Sequence, residues 1–442
     1  MKISFENLGA IKKAEIDLSK KLTLLVGPNG TGKTYLSYAV YGYMDILFMA
    51  DIYSYEELRK EKEIQVELDL DALYTLKGRY FAWASEHINA LFGIKNNNYF
   101  DSYKTKSLLT KEKFCQQVIG LEIDSVYTSN LNAIYYSKQS GSKTLTVKMR
   151  EPFSMNDDIQ DFDIRSNATI GKYLCNQSLL KAYILPVERN SVYTFADSLA
   201  AKKIEQDGVI KEEDKLQTYP KPIRDALATA VELKNIKKQT SEYTWLADSI
   251  EDKILNGKVS ISDDGELLFT PKYSEKVNLP VHLSASIVKN LSGLLVYLRH
   301  QAKKNDLLII DEPELGLHPD NQVRLARIFA RIINAGLRLM VSTHSDYIIQ
   351  ELNNLIMLSS EKPSVKTIAR ELEYGDDEKI NEADVSVYLF HPDPENPQVV
   401  KVEEPLKIED NGFEVKTIDD EICKMNNHRD KIFYALRYDD GE

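Results

Sequence analysis

The sequence has 442 residues, enough for two or three domain-sized cores, and its 43% hydrophobic and 28% charged residues are ordinary for a soluble globular protein. The net charge of −12 argues against a broad basic surface for nucleic acid. The longest apolar stretch, residues 36–50, is interrupted by Asp45 and falls short of a membrane span. The N-terminus has no signal-peptide core, and the three cysteines lie far apart. We therefore expect a reduced, cytoplasmic protein without membrane association.

The N-terminal segment predicts strands followed by a phosphate-binding loop. Residues 14–18 alternate between apolar and polar side chains, and residues 22–26, LTLLV, are typical of a buried strand. The next eight residues, GPNGTGKT, match the pattern G-x-x-x-x-G-K-[ST], and residues 35–44 are predicted to form the helix that follows such a loop. The predicted ATP-binding residues are Gly27, Pro28, Asn29, Gly30, Thr31, Gly32, Lys33 and Thr34.

The residue types in this loop suit a triphosphate. Glycines let backbone N–H groups point at phosphate oxygens in conformations that a Cβ would obstruct. Lys33 supplies a positive charge for the β- and γ-phosphates, and the Thr34 hydroxyl can coordinate Mg²⁺. The helix dipole contributes only about 0.3–1 kcal/mol, and up to ~2 in favourable sites. Charge-assisted hydrogen bonds of roughly 1.5–3 kcal/mol each must therefore supply most of the affinity.

The middle of the chain has mixed character. Residues 55–92 are mostly helical in composition, whereas residues 132–149 predict a hairpin that turns around Gly141. Residues 199–215 are charged and are predicted to be exposed. The predicted domains are the first part of an ATPase head at 1–50, an insertion of helices and strands at 51–255, the second part of the head at 256–377, and a C-terminal hairpin and helix at 378–442.

A helix that starts with serine is predicted near residue 286. Its apolar residues recur at helical spacing and form one stripe, which consists of Ile287, Val288, Leu291, Leu294, Leu295 and Leu298. Ser292 and Gly293 are then inside the helix, and Ser284 or Ser286 is its N-cap. The free N–H groups beyond such a cap suit a γ-phosphate presented by a second subunit. An ordinary capped helix is the alternative interpretation.

A second strand ends in two carboxylates. Residues 307–310, LLII, are followed by Asp311, Glu312 and a proline. An acid at the carboxyl end of a parallel strand lies where open α/β sheets bind ligands. We predict that Asp311 holds Mg²⁺ and that Glu312 orients or deprotonates the attacking water. Taken alone, a strand that ends in DEP could simply form a turn.

A third apolar run precedes a histidine. Residues 339–341 predict a buried strand, and the polar residues after it include His344. His344 could sense the γ-phosphate or the hydrolytic water through a hydrogen bond. A structural histidine is the alternative. Further along, residues 385–391 and 399–402 predict two strands around the turn sequence PDPENP, with a short helix from Thr417.

Together these motifs resemble those of ABC-type ATPases, most closely the group of overcoming-lysogenisation-defect (OLD) proteins and anti-phage defence ATPases. GPNGTGKT resembles their Walker A motif, LLIIDEPELGLHP their Walker B motif with D-loop, and VSTHSDYIIQELNNLI their switch-histidine segment. SASIVKNL stands in place of the ABC signature and lacks its usual glycine pair. YILPVERNSVYTF, around Pro186 and Arg189, is similar to another segment of this group, to which the sequence assigns no role.

The resemblance implies an α/β fold: an ABC-type P-loop ATPase head, assembled from both ends of the chain. It also implies that two heads pair, as a homodimer or within a higher homo-oligomer, with ATP and Mg²⁺ between them. Each ATP would contact the phosphate loop of one subunit and Ser284 or Ser286 of the other. Glu312 and His344 would act in ATP hydrolysis.

The implied function is that of a sensor and scaffold subunit in an anti-phage defence complex, similar to the ATPase subunits of PARIS and Septu systems. Such a subunit would hold or release a separate nuclease of Toprim or HNH type, and a phage-derived protein could be its trigger. The residues after His344 show neither a Toprim metal site nor an HNH-like histidine pairing. We therefore expect ATP hydrolysis, and no nuclease activity, from this chain.

A RecF/SMC-like DNA-repair ATPase that acts directly on DNA is the alternative function. It predicts a long coiled coil with a CxxC hook, or a basic groove between the heads. The sequence has no CxxC, and its net charge of −12 disfavours the groove. A transporter's nucleotide-binding domain is the third possibility, and it calls for a regular signature and a much shorter chain.

Overall fold

A computed structural model of the protein describes residues 1–46, 49–95, 99–128, 133–150, 159–176, 179, 181–193, 219–274, 276–409 and 411–438. The predicted exposed segment 199–215 lies outside these residues. The strands are β1 (Lys2–Leu8), β2 (Ile11–Asp17), β3 (Leu22–Val26), β4 (Glu63–Glu67), β5 (Lys104–Ser107), β6 (Ile123–Thr128), β7 (Ala133–Lys138), β8 (Thr144–Arg150), β9 (Ala182–Leu185), β10 (Gly257–Ile261), β11 (Leu267–Pro271), β12 (Leu279–Pro280), β13 (Leu307–Asp311), β14 (Arg338–Thr343), β15 (Val385–Pro392) and β16 (Val400–Val402).

Helices surround these strands. They are α1 (Lys33–Asp45), α2 (Tyr55–Glu61), α3 (Leu70–Glu86), α4 (Ile88–Leu91), α5 (Lys111–Gly120), α6 (Ile159–Asn176), α7 (Lys221–Val231), α8 (Leu233–Ile236), α9 (Thr244–Ile250), α10 (Ser286–Val296), α11 (Pro319–Asn334), α12 (Asp346–Met357), α13 (Pro363–Glu371) and α14 (Lys416–Tyr438). Within the described ranges, no helix combines the length and apolar character needed to cross a membrane.

Strands from both ends of the chain form one sheet in the order β5-β1-β2-β16-β15-β3-β14-β13-β9. The strands from β15 to β9 are parallel, whereas β5, β1 and β2 pair antiparallel beside them. The C-terminal hairpin of β15 and β16 is part of this sheet, because β15 pairs with β3 and β16 pairs with β2. The α/β class, and a head built from both ends of the chain, are therefore confirmed.

The parallel strands are buried on both faces. Every residue of β3 and β13 is buried. Leu308 and Ile310 join one apolar cluster, and Leu307 and Ile309 join the other. Parallel strands covered on both faces read as continuous apolar runs, which explains why their sequences do not alternate. Since β3, β13 and β14 run in the same direction, their carboxyl ends meet at one edge of the sheet.

The middle of the chain contains a second sheet, in the order β4-β8-β7-β6. The predicted hairpin around Gly141 is confirmed, since β7 and β8 pair antiparallel. The helical interpretation of residues 55–92 is only partly right, because β4 separates α2 from α3 and pairs with β8. Ile64 and Val66 of β4 point to the same side, so a short β alternation was embedded in a helix-rich stretch. The C-terminal helix, predicted to be short, has 23 residues.

Asp306, just before β13, gives a pH-dependent prediction for stability. It is 3% exposed, and burial raises its pKa to about 6 although its carboxylate accepts hydrogen bonds from Lys303 N and the Tyr297 hydroxyl. The folded protein therefore binds this proton more tightly than the unfolded chain, and the ionised carboxylate destabilises the fold at neutral pH. We expect Asp306→Asn to raise the free energy of unfolding by about 1–3 kcal/mol at pH 7.5. In urea unfolding, this gain should shrink by about 1 kcal/mol at pH 5, whereas a pH-independent gain would contradict the assignment.

Candidate functional site

The phosphate loop lies between β3 and α1 and is built on glycines. Gly27 has φ of +139°, and a Cβ at this position would lie 2.1 Å from the Phe390 carbonyl oxygen of β15. Gly32 has φ of +86° and is the N-cap of α1. Side chains are disfavoured at both positions, by contact at Gly27 and by the left-handed backbone at Gly32. The predicted helix therefore begins two residues early, at Lys33.

The Lys33 ammonium lies inside this loop. Lys33 is 5% exposed, and its Nζ donates hydrogen bonds of 2.8 Å to the carbonyl oxygens of Gly27 and Pro28. Burial lowers the pKa of Lys33, and the charges of Glu312, Asp311 and Glu314 oppose that shift. The positive charge that the sequence predicts for phosphate binding is thus centred in the loop.

The Asp311 carboxylate, at the end of β13, is completely buried. Its Oδ1 accepts a hydrogen bond from the Ser342 hydroxyl of β14. Burial raises the pKa of Asp311, and the neighbouring hydroxyls of Ser342 and Thr34 partly offset this effect. Thr34 is therefore close to the Asp311 carboxylate, although the two residues are far apart in sequence.

The second oxygen of Asp311 allows a test for Mg²⁺. Oδ2 is buried and accepts no hydrogen bond of ordinary geometry from the residues that the structure describes. A buried acceptor without a partner is costly, unless a ligand satisfies it. A carboxylate and a hydroxyl are also the hard oxygen ligands that Mg²⁺ prefers. The residues present therefore fit this ion.

Glu312 has an unusual backbone that Arg189 holds in place. Its φ is +46°, in the left-handed region that non-glycine residues rarely adopt. Arg189 is 3% exposed and donates to the carbonyl oxygens of Asp311 (2.6 Å) and Glu312 (2.7 Å), as well as to that of Pro186 (3.1 Å). The Glu312 N–H donates to Ser342 O at 3.0 Å. The Arg189 guanidinium thus holds the main chain of Asp311 and Glu312 in place through their carbonyl oxygens.

A second acid, Glu314, holds the segment around His344. Glu314 is 8% exposed, and its Oε1 accepts hydrogen bonds of 2.8 Å from the Thr343 hydroxyl and from the His344 N–H. Nδ1 of His344 lies 3.4 Å from the same oxygen, while the His344 side chain remains 42% exposed. The predicted histidine therefore follows β14, the strand that pairs with β13, and the contacts given above for it are with Glu314, an acid that the sequence did not single out. His344 does not line the cavity described next.

A cavity of about 670 Å³ opens at this edge of the sheet. This volume is within the range of roughly 300–1,000 Å³ that is usual for small-molecule sites. Its lining includes Glu312 together with the loop residues Asn29, Gly30, Thr31, Gly32, Lys33 and Thr34. Glu312 and most of the phosphate loop therefore face the same space.

The start of α10 differs from the prediction. The N-cap is Ala285, and neither Ser284 nor Ser286 caps the helix with its side chain. The Ser284 hydroxyl donates instead to Val281 O, in the preceding turn, at 2.6 Å. Ser286 is the first helical residue. Ser292 and Gly293 are inside α10, as predicted. The two serines do not line the cavity at the phosphate loop; Ser286 lies beside Gly316, where an added Cβ would be 2.7 Å from its Oγ.

Sequence reasoning missed Arg189, Glu314 and Ser342 as parts of the site. Arg189 is in a segment similar to one of the OLD-like group. Its role could not be predicted, because a hydrogen bond from a side chain to main-chain carbonyls far away in the sequence leaves no sequence pattern. The second acid of DEPEL could have marked Glu314, since acids are rarely buried without partners. Ser342 gave no signal apart from its place at the end of a buried strand.

The sheet, the phosphate loop and the paired carboxylates define a P-loop nucleotide-binding protein. Residues 1–349 match the family described as AAA ATPase domain. This match spans more than half of the chain, and the chain belongs to this family. No significant match was found among curated proteins.

A comparison with solved structures finds three SMC heads that are similar to this chain. An SMC head bound to the C-winged helix domain of ScpA is 14% identical with a TM-score of 0.36, covering 92% of this chain and 97% of that chain. The SMC head domain from Thermotoga maritima is 11% identical with a TM-score of 0.35, covering 92% and 98%. A head with an extended coiled coil, bound to the C-terminal domain of ScpA from Pyrococcus furiosus, is 13% identical with a TM-score of 0.34, covering 97% and 98%. Similarity at this level assigns no substrate or partner to this chain.

Proposed function

We propose that this chain binds and hydrolyses ATP at the site formed by the phosphate loop, Asp311 and Glu312. The observation that carries this proposal is that Thr34 and Glu312 line one cavity, while Thr34 lies close enough to the buried Asp311 carboxylate to lower its pKa. Membership of the AAA ATPase domain family supports ATP as the nucleotide.

Each residue has a role in this proposal. The loop N–H groups and Lys33 bind the β- and γ-phosphates. Thr34 and Asp311 would hold Mg²⁺, which when bound neutralises phosphate charge. Glu312 orients the attacking water and accepts its proton, and His344 donates a hydrogen bond to the γ-phosphate. Arg189 and Glu314 position Glu312 and His344 through the contacts described above.

We also propose that two heads pair around ATP. In this arrangement the start of α10 of one subunit, with Ser284 and Ser286, would approach the nucleotide of the other. The position of both serines outside the cavity of their own chain is compatible with such a role. Because neither serine is used as the helix cap, backbone N–H groups of the first turn stay available to an anion. ATP would favour the paired state through its higher affinity for that state.

The wider function that we propose is that of a sensor and scaffold subunit in anti-phage defence, which holds or releases a separate nuclease of Toprim or HNH type. It is supported by the resemblance of the Walker B, switch-histidine and PVER segments to the OLD-like group. The domain boundaries at residues 50, 255 and 377 remain part of this proposal as divisions along the chain, although β5, β9, β15 and β16, which lie outside the two head segments, belong to the central sheet.

Native mass spectrometry tests head pairing. The mass without nucleotide, whether that of one chain or of an assembly, is the reference. With Mg²⁺ and a non-hydrolysable ATP analogue, the mass is expected to rise to at least twice this reference. Ser286→Glu should prevent this rise and keep nucleotide binding, because a negative charge would face the partner's γ-phosphate. Ser364→Glu, in α13, is the matched control and should pair like the parent. An unchanged mass with saturating analogue would contradict the pairing.

Co-purification with the product of a neighbouring nuclease gene tests the defence role separately.

A further inference from the structure

The cavity at the phosphate loop has an apolar wall, formed by Tyr35, Ile94, Tyr99 and Phe100. The phosphate loop and Glu312 line the same cavity. We infer that this wall, which we name the base wall, stacks against the purine base of the nucleotide, with Tyr99 as the main contact. This inference rests on the proposed function and adds the part of the ligand that the phosphate loop does not recognise.

The base wall is supported from behind by packed rings. The Tyr35 ring lies 5.0 Å from that of Phe92 and 5.9 Å from that of Phe100, at interplanar angles of 57° and 69°. Phe92 and Phe100 lie 4.9 Å apart. Phe100 is 5% exposed, so this support is buried. Tilted and edge-on arrangements of this kind are favourable for aromatic pairs and hold the wall in position.

The front of the wall is open. Tyr35 is 43% exposed and Tyr99 is 69% exposed, although both are large side chains that usually gain from burial. Gly9 and Ala10, in the turn between β1 and β2, also line the cavity. A Cβ on Gly9 in this turn would lie 2.9 Å from the Tyr35 ring. The two exposed tyrosines therefore line the same cavity as the phosphate loop.

The chemistry of this wall favours stacking over recognition of base edges. Among the described residues that line the cavity outside the phosphate loop and Glu312, only Tyr35 and Tyr99 carry a polar side-chain atom, their hydroxyls. Aromatic rings stack on any base, because every base has a π-face, and lose affinity when the ring is removed. A wall of this kind prefers purines, with their larger faces, and discriminates weakly between adenine and guanine. We therefore expect GTP to compete with ATP for binding.

Calorimetry with two ligands tests the inference. One ligand is Mg-ATP and the other is Mg-tripolyphosphate, which has the phosphates without a base. Tyr99→Ala is expected to raise the Kd for ATP by about 5- to 150-fold and to leave the Kd for tripolyphosphate unchanged. Tyr99→Phe should restore ATP binding. The matched control, Tyr273→Ala, removes a tyrosine that is 89% exposed and outside the cavity, and it should change neither Kd.

The outcomes separate this inference from the proposed function. Parent-like ATP binding by Tyr99→Ala, or an equal loss of both ligands, would overturn the role of the base wall. Lys33→Ala should lose both ligands, because the phosphate contacts are removed. If Lys33→Ala binds both ligands like the parent, the proposed phosphate site is wrong, whatever Tyr99 does.

Discussion

Glu312→Gln is expected to slow ATP turnover by about 10²- to 10⁴-fold while the Kd for ATP stays within about threefold of the parent value. Glutamine has the same size and keeps the hydrogen bond from the residue 312 N–H to Ser342 O. It cannot accept a proton from water, so the chemical step loses its base. Phosphate release in single-turnover experiments measures the rate, and calorimetry measures binding.

Glu371→Gln is the matched control for this substitution. Glu371 is an exposed carboxylate at the end of α13, so turnover should remain at the parent rate. The expected contrast is a slow Glu312 variant beside a normal Glu371 variant. A Glu312→Gln protein that hydrolyses ATP as fast as the parent would falsify the assignment of Glu312 as the base.

Arg189→Lys is expected to lower kcat by about 10- to 100-fold without a matching change in the Kd for ATP. Arginine donates to the carbonyl oxygens of Asp311 and Glu312 at the same time, through two nitrogens of one planar group. A lysine ammonium cannot reproduce this fork, so the left-handed backbone of Glu312 loses its restraint. A shift of about 1 Å at a catalytic group can cost 10²-fold in rate.

Arg338→Lys distinguishes this positioning role from a loss of stability. Arg338 is also partly buried, and it donates a hydrogen bond to the main-chain carbonyl of Leu18. It lies at the start of β14, away from the end of the strand that carries Ser342. Both substitutions should lower the free energy of unfolding, by about 1–3 kcal/mol, because the lysine side chain is shorter and its ammonium cannot keep the geometry of the guanidinium's hydrogen bonds to these carbonyls. Only Arg189→Lys should lower kcat. Equal kcat values for the two variants at full folding would show that Arg189 is structural only.

The central sheet could be predicted from the sequence because its strands carry strong local signals. LTLLV and LLIID are continuous apolar runs with a loop or acids at their ends, and both are buried strands in the structure. Such runs need only their own composition to be recognised. Their pairing order could not be read, since register depends on strands that are hundreds of residues apart.

The site was only partly predictable for a related reason. The phosphate loop, Asp311 and Glu312 belong to short contiguous motifs, whereas Arg189 acts through the carbonyls of another segment. The cap of α10 was predicted wrongly because Ser284 had a competing acceptor, Val281 O, in the preceding turn. A serine near a helix start favours a cap, but tertiary and local competitors decide where its hydroxyl bonds.

The position of β3 between β14 and β15 has a consequence for synthesis of the protein. The phosphate loop leaves the ribosome before the strands that flank it, because these strands, and the Phe390 carbonyl packed against Gly27, follow about 300–360 residues later. At about 5–20 residues per second, this delay is on the order of 15–70 s. Throughout that time the phosphate loop of the nascent chain lacks β14 and β15, the strands that flank β3 in the folded protein. The complete nucleotide site therefore forms only after β14 and β15 have been synthesised.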